Sequence, residues 1–117
     1  MKAKVNYYFE DDIFSGMPLR RDYDSSIQIG SFIFDLDPKG RIVGLEILNA
    51  SKVFGIPKLF LNNMESGRII IEADEKFIKL SISIKTLVRN SHRNSVLNVE
   101  RARPDFISPS ELSMAIV

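Results

Sequence analysis

The chain has no cysteine, no tryptophan and a single histidine among its 117 residues. Without a thiol there is no disulfide, no Cys-ligated zinc, no iron–sulfur cluster and no cysteine nucleophile. The lack of cysteine also fits a reducing compartment. The one histidine, His92, lies in the polar stretch Asn90, Ser91, His92, Arg93, Asn94 and reads as a surface side chain rather than a catalytic base. Gly30, Gly40 and Gly44 form neither a dinucleotide fingerprint nor a phosphate loop, and no Gly-Xaa-Ser-Xaa-Gly elbow occurs. The first residues run from Met1 to Asn6 and straight on to Glu10, Asp11 and Asp12. They contain no apolar run of the roughly 7–15 residues a secretory leader needs. No uncharged apolar stretch approaches the ~18 residues of a membrane span. These absences predict a soluble, cytoplasmic, non-enzymatic protein with no cofactor, no bound metal and no membrane partner.

What is present is ordinary in bulk, with 44% hydrophobic and 26% charged residues, and amounts to one domain over residues 1–117. The net charge of +1 conceals an asymmetry. Residues 1–37 carry four basic and seven acidic side chains, residues 38–75 five of each, and residues 76–117 seven basic and three acidic. Two solvated faces of opposite sign explain this more simply than a nucleic-acid patch, because basic binding domains carry a much higher overall charge.

The most sharply patterned stretch covers residues 32–55. Phe32, Phe34 and Leu36 alternate with Ile33 and Asp35, as a strand requires. Asp37, Pro38, Lys39 and Gly40 then spell a tight turn, with Asp at the first position, Pro fixing φ at the second and Gly at the fourth. On the return strand Val43, Leu45 and Ile47 share one face and Ile42, Gly44, Glu46 and Leu48 the other. Gly44 in mid-strand predicts a bulge or a close approach by another backbone. Glu46 reads as the partner of a basic neighbour such as Arg41 or Lys39, rather than as an acid or base. Asn49 suits an N-cap and Gly55 a C-terminal cap for a short helix over residues 50–54. Pro57 suits the first turn of a second helix before Gly67.

Elsewhere the pattern is that of strands. Residues 5–9 are aromatic and β-branched, and Glu10, Asp11 and Asp12 read as a solvated acidic turn rather than a metal loop. Residues 15–19 read as a loop from Gly16 and Pro18. Arg20 and Arg21 alternate with acids, so local partners satisfy them more easily than a phosphate. Residues 68–73 form an Ile-rich strand, and residues 77–88 the cleanest amphipathic one. In the latter Ile78, Leu80, Ile82, Ile84 and Val88 face in, while Phe77, Lys79, Ser81, Ser83 and Lys85 face out. At about 40 Å in length it is expected to bend or carry a bulge. Residues 90–94 make the next turn and residues 95–102 the next strand. Ser108, Pro109, Ser110 and Glu111 form a capping-box pattern that predicts one helical turn before an apolar, docked tail at residues 114–117.

Asp35-Leu36-Asp37, Gly40 and Val43-Gly44-Leu45-Glu46-Ile47-Leu48-Asn49-Ala50-Ser51 resemble the family catalogued as domain of unknown function twenty-two eighty-three. Those short prokaryotic domains carry an Asp-Xaa-Asp strand end, a Gly turn and a Val-Gly-Ile-Glu-Ile-Leu-Asx-Ala-Ser strand. The likeness covers residues 31–54 and loosens upstream. It implies a small β-rich domain with a family-like core at residues 1–56 and a β extension at residues 57–117, and it brings no catalytic residues.

The fold expected is therefore mainly β, with α+β as the alternative. About seven strands should form two antiparallel meanders, joined by a short helical segment, in a sandwich or partly closed barrel. The function expected is a protein-interaction or structural module acting as a homodimer, because Ile33, Ile42 and Leu48 lie opposite the other apolar face of the hairpin. The alternative is nucleic-acid binding through Lys85, Arg89, Arg93, Arg101 and Arg103. The residues singled out for turn geometry and structure are Asp37, Pro38, Gly40, Gly44, Glu46 and Asn49.

Overall fold

A computed structural model describes residues 1–116. Two antiparallel sheets enclose one hydrophobic core in a mainly β sandwich, with no closed barrel. The first sheet has the order β1-β2-β5-β4-β3, built from β1 (Ala3–Tyr8), β2 (Ile13–Pro18), β3 (Ser25–Ile29), β4 (Phe32–Leu36) and β5 (Ile42–Ile47). The second has the order β8-β7-β6-β9, from β6 (Met64–Ala73), β7 (Phe77–Val88), β8 (Ser91–Ala102) and β9 (Ser110–Ile116). The expected meanders are β3-β4-β5 and β6-β7-β8. Helices α1 (Ala50–Phe54) and α2 (Lys58–Leu61) join them. Among the described residues no helix is long and apolar enough to cross a membrane.

Alternation builds the core. Phe32, Phe34 and Leu36 of β4 and Ile78, Leu80, Ile82 and Ile84 of β7 are all buried in the one core. Phe77, Lys79, Ser83 and Lys85 face away from them as the period of two requires.

Four elements depart from the sequence reading. Residues 15–18 are strand, not loop, because they pair with β1 from Asn6 back to Ala3, and Gly16 suits a place where a Cβ would stand 2.7 Å from Ile69 Cδ1 of the facing sheet. Pro18 is tolerated because β2 pairs with β5 only over Phe14–Gly16 and leaves its last residues free on that side. The capping-box pattern before Glu111 starts no helix. Ser110–Ile116 pairs along β6 from Gly67 to Ala73 and buries Leu112, Met114 and Ile116, an alternation that outcompetes one helical turn. Val117, the end of the expected docked tail, lies outside the described residues. The β7–β8 turn is only Arg89 and Asn90, both at positive φ (52° and 62°), so β8 begins at Ser91 and carries His92 within it. The irregularity expected in β7 falls on its partner β6, where the register shifts between Met64 and Ser66.

The hairpin of β4 and β5 also shifts register, between Asp35 and Leu36. The shift inserts one residue into β5, so Ile42 joins Leu45 and Ile47 in the core while Val43 turns outward. The second apolar face expected from Ile33, Ile42 and Leu48 is therefore reduced to the half-buried Ile33. Ile42 is buried and Leu48 lies beyond the end of β5.

The sandwich is closed on one side. Lys2 bridges to Ala115, and the Ala115 N–H donates to the Met1 carbonyl at 2.7 Å, which joins the leading end of β1 to β9. At the other side β3 and β8 are the sheet edges.

Candidate functional site

The turn residues assemble as a self-contained unit. Gly40 N–H donates to the Asp37 carbonyl at 3.0 Å and Asp37 N–H to the Arg41 carbonyl at 2.9 Å. This is a type I turn closed by a residue in the left-handed region, Gly40 at φ 77°. One oxygen of the buried Asp37 carboxylate accepts from the N–H groups of Lys39 and Arg41, and the other from Arg41 Nε at 2.7 Å. Burial pushes this carboxyl up, but the Arg41 and Lys39 donors and the Arg41 charge outweigh it and hold it below the usual range. The turn tip, with Pro38 at its second position, rests on the 104–108 loop. Ser108 N–H donates to the Gly40 carbonyl, and a Cβ on Gly40 would stand 2.6 Å from the Phe106 carbonyl.

Gly44 borders the bulge expected there, with Val43 as the extra residue, and it is buried under side chains, not under another backbone. A Cβ there would meet Arg21 Nη1 at 2.6 Å and Asp35 Oδ2 at 2.8 Å. Arg21, in the connection from β2 to β3, reaches onto β4 and binds Asp35 at 2.5 Å while its guanidinium covers the Tyr23 ring. The Ser26 hydroxyl donates to the other Asp35 oxygen at 2.7 Å. Glu46 makes no ion pair among the described residues. Its register neighbours are Ser15 and Ile33, which correct the pairing expected with Arg41 or Lys39, since Arg41 is held by Asp37.

The Asn49 side chain does not cap α1. Asn49 takes the left-handed conformation (φ 51°), whereas an N-cap side chain bonds from the extended region. The cap comes from Asp12, 39 positions before Ser51. Its Oδ1 accepts from Ser51 N–H at 2.9 Å and its Oδ2 from Ser51 Oγ at 2.6 Å. Its main-chain carbonyl accepts from Ala50 N–H, and Tyr7 Oη donates to Oδ1 at 2.6 Å. Of the acidic turn read as solvated, Glu10 and Asp11 are exposed and Asp12 is buried. Burial raises the Asp12 carboxyl, but the Ser51 and Tyr7 hydroxyls, the Ser51 N–H and the Lys58 charge bring it below the ordinary range. Burial, then the bond to Asp12 and its charge, push the Tyr7 phenol up. The one sequence signal for this role was the apolar run Ile13-Phe14 directly after Asp12, which turns the chain back into the core.

The five basic residues of the C-terminal third do not share a surface. Lys85 lies on the outer face of β7 and Arg89 at the hairpin tip. Arg93 and Arg101 are on the opposite face of β8, with guanidiniums 4.8 Å from the Phe60 ring and 5.5 Å from the Phe32 ring. Arg103 binds the main-chain carbonyls of Glu75, Pro104 and Ile107. The surface concavities are shallow. One of about 330 Å³ lies on the outer face of the second sheet, between Ile70, Lys79, Ser81, Asn98 and Glu100. Asp35, Asp37 and Glu46 do not converge, and among the described residues no three His, Asp or Glu side chains are placed to share an ion.

The longer of the two open sheet edges is β8. It is a twelve-residue edge strand with exposed or half-buried side chains throughout, and Val96 at its middle is 62% exposed.

The family described as Protein of unknown function (DUF2283) matches residues 4–51, which span the five-stranded sheet and end at Ser51. A Methanosarcina mazei protein that carries the provisional name hypoxanthine phosphoribosyltransferase is 32% identical over 88 residues, covering 75% of this chain and 72% of that one. An uncharacterized protein of Methanocaldococcus jannaschii is 30% identical over 90 residues, covering 76% of this chain and 78% of its own. No solved structure matches the chain. Both relatives extend past the matched sheet in coverage, and the chain belongs to the DUF2283 family of proteins of unknown function.

Proposed function

We propose that this chain is a non-enzymatic interaction module of the reducing cytoplasm that works as a homodimer. The observation that carries the reading is the unequal treatment of the sandwich edges. The β1 and β9 side is tied by the bridge from Lys2 to Ala115, whereas β8 offers twelve residues of unpaired edge. An open edge of that length is a template for another strand, and two-fold self-pairing is the commonest way to satisfy one. The ionisable groups are engaged in holding turns, as at Asp12 and Asp37, rather than aimed into a cleft. Light scattering coupled to size exclusion should give a dimer mass at tens of micromolar. A monomer mass there overturns the reading.

Nucleic-acid binding is supported only by Lys85 and Arg89, which are exposed and, among the described residues, have no partner ring or carbonyl. A low-salt gel shift with single- and double-stranded probes tests it. The name carried by the Methanosarcina mazei relative points instead to hypoxanthine as a ligand, and calorimetric titration with hypoxanthine tests that.

A further inference from the structure

The β7–β8 loop has two residues, Arg89 and Asn90, both at positive φ. That is the primed two-residue hairpin, in which the flanking pair, Val88 with Ser91, exchanges both main-chain hydrogen bonds. Bonded and unbonded pairs alternate along an antiparallel ladder. Ser91, Arg93, Ser95, Leu97, Val99 and Arg101 therefore spend their N–H and C=O groups on β7. His92, Asn94, Val96, Asn98 and Glu100 turn theirs to the open edge. Among the described residues the only bond made there is from Arg101 Nη1 to the Glu100 carbonyl, which keeps a second lone pair.

We infer that β8 pairs antiparallel with β8 of a second copy about a two-fold axis at Val96, which joins the two second sheets into one. This rests on the homodimer reading and names its surface and register. The register follows from the side chains. A two-fold axis perpendicular to the sheet keeps the same face outward in both copies, so residues of like parity meet. Centred on Val96, the outer face sets Val96 against Val96, Asn94 against Asn98 and His92 against Glu100. The inner face sets the Arg93 stem against Val99 and Ser95 against Leu97. Every outward-turned N–H and C=O from His92 to Glu100 then has a partner, in about ten main-chain hydrogen bonds. Centring one residue later, on Leu97, places Arg93 opposite Arg101 and Asn94 opposite Glu100, a like-charge clash that sheets avoid. Centring on Asn98 sets Val96 against Glu100 and shortens the overlap. The Val96 register is the one that joins an exposed apolar side chain to its own copy, and it brings Glu100 beside His92, whose Nδ1 lies 3.0 Å from Glu65 Oε1.

The absence of cysteine makes the test direct. In an antiparallel bonded pair the two Cα atoms lie about 5.5 Å apart, within disulfide reach. Val96→Cys should cross-link to a covalent dimer on mild oxidation. Asn98→Cys should not cross-link alone, but should do so when mixed with Asn94→Cys. Val96→Lys should weaken the dimer by more than about tenfold, because like charges meet at the axis, with an unchanged circular dichroism spectrum. Val96→Pro is the second probe, since it deletes an edge N–H that β7 does not use. A wild-type monomer overturns the homodimer reading and this one together. A wild-type dimer that persists in Val96→Lys and Val96→Pro, or that cross-links at position 98 and not 96, overturns the β8 register alone.

Discussion

Asp12 and Asp37 are both buried aspartates at the turn of a hairpin in the first sheet, and they are satisfied in opposite ways. Asp37 draws its donors from Lys39 and Arg41, two and four residues on. Asp12 draws its donors from Tyr7 and from Ser51, which is 39 residues away. Asp37 shapes its own turn. Asp12 ties the β1–β2 turn to the start of α1 and so fixes where the chain leaves the first sheet. A carboxylate with local donors can be recognised from its neighbours in sequence, and one with distant donors cannot.

The largest effect should come from Asp12→Ala. It leaves the Tyr7 hydroxyl and the Ser51 N–H and hydroxyl without an acceptor, at a cost of about 3 kcal/mol, on the order of 10 °C in melting temperature. Asp12→Asn should cost less, because it keeps an acceptor and tolerates the left-handed backbone that Asp12 adopts (φ 55°). Asp37→Ala should lower the melting temperature less than Asp12→Ala, because Arg41 is half exposed and water can reach the donors it frees. Thermal denaturation of the three variants decides the order, and Asp37→Ala proving the worse would break the comparison.

Gly40→Val comes next, at about 2 kcal/mol. The left-handed φ strains a β-branched residue, and the new Cβ presses on the Phe106 carbonyl. Gly30→Ala separates the two costs. Gly30 also has positive φ (59°), but no atom lies within 4 Å of its would-be Cβ, so only the backbone term of about 1 kcal/mol applies. Equal melting shifts for the two variants would mean that the turn does not press on the 104–108 loop.

What was legible in the sequence follows the same division between local and distant partners. The Asp37 to Gly40 turn, the Gly55 cap and the facing of Ile78 to Ile84 are decided within a few residues, and each stands where the pattern places it. The strand character of residues 15–18 depends on pairing with β1 and β5, and that of residues 110–116 on β6. Neither is visible from Gly16 and Pro18, or from a capping-box pattern. The burial of Ile42 depends on one inserted residue, which a strict period of two misassigns along with every neighbour before it. The basic residues were grouped by sequence, but pairing with β7 sends Arg93 and Arg101 to the face opposite Lys85.

Lowering the pH probes both turns at once. The carboxyls of Asp12, Asp37 and Asp74 are all held below their ordinary range. At Asp74 the Phe77 and Lys76 N–H groups lead, against a smaller opposing effect of burial, with the Lys79 and Arg103 charges assisting. A carboxyl depressed on folding stabilises the fold fully above its unfolded pKa of about 3.9 and loses that contribution as pH falls through the folded value. The melting temperature should therefore be flat from neutral pH to about pH 5 and fall below about pH 4. Asp12→Asn should fall less steeply, because one of the three protons no longer has to be taken up. A wild-type fall centred near neutrality would assign acid sensitivity to another group.

The smallest effect expected has the opposite sign. Thr86 is the third case beside the two aspartates, a buried polar group with neither a local nor a distant partner. Among the described residues its hydroxyl makes no hydrogen bond, although the side chain is 1% exposed and sits in the inward row of β7 behind Ile84. A buried donor without an acceptor carries a desolvation cost of about 1–3 kcal/mol. Valine has nearly the same shape, favours a strand as strongly and has no hydroxyl to desolvate. Thr86→Val should therefore raise the melting temperature, by a stabilisation of up to about 1 kcal/mol, without changing the association state, since Thr86 faces the core and Val96 the open edge. Destabilisation by Thr86→Val in chemical denaturation would mean that the hydroxyl has an acceptor in solution, and that the core face of β7 is wetter at this end than its alternation implies.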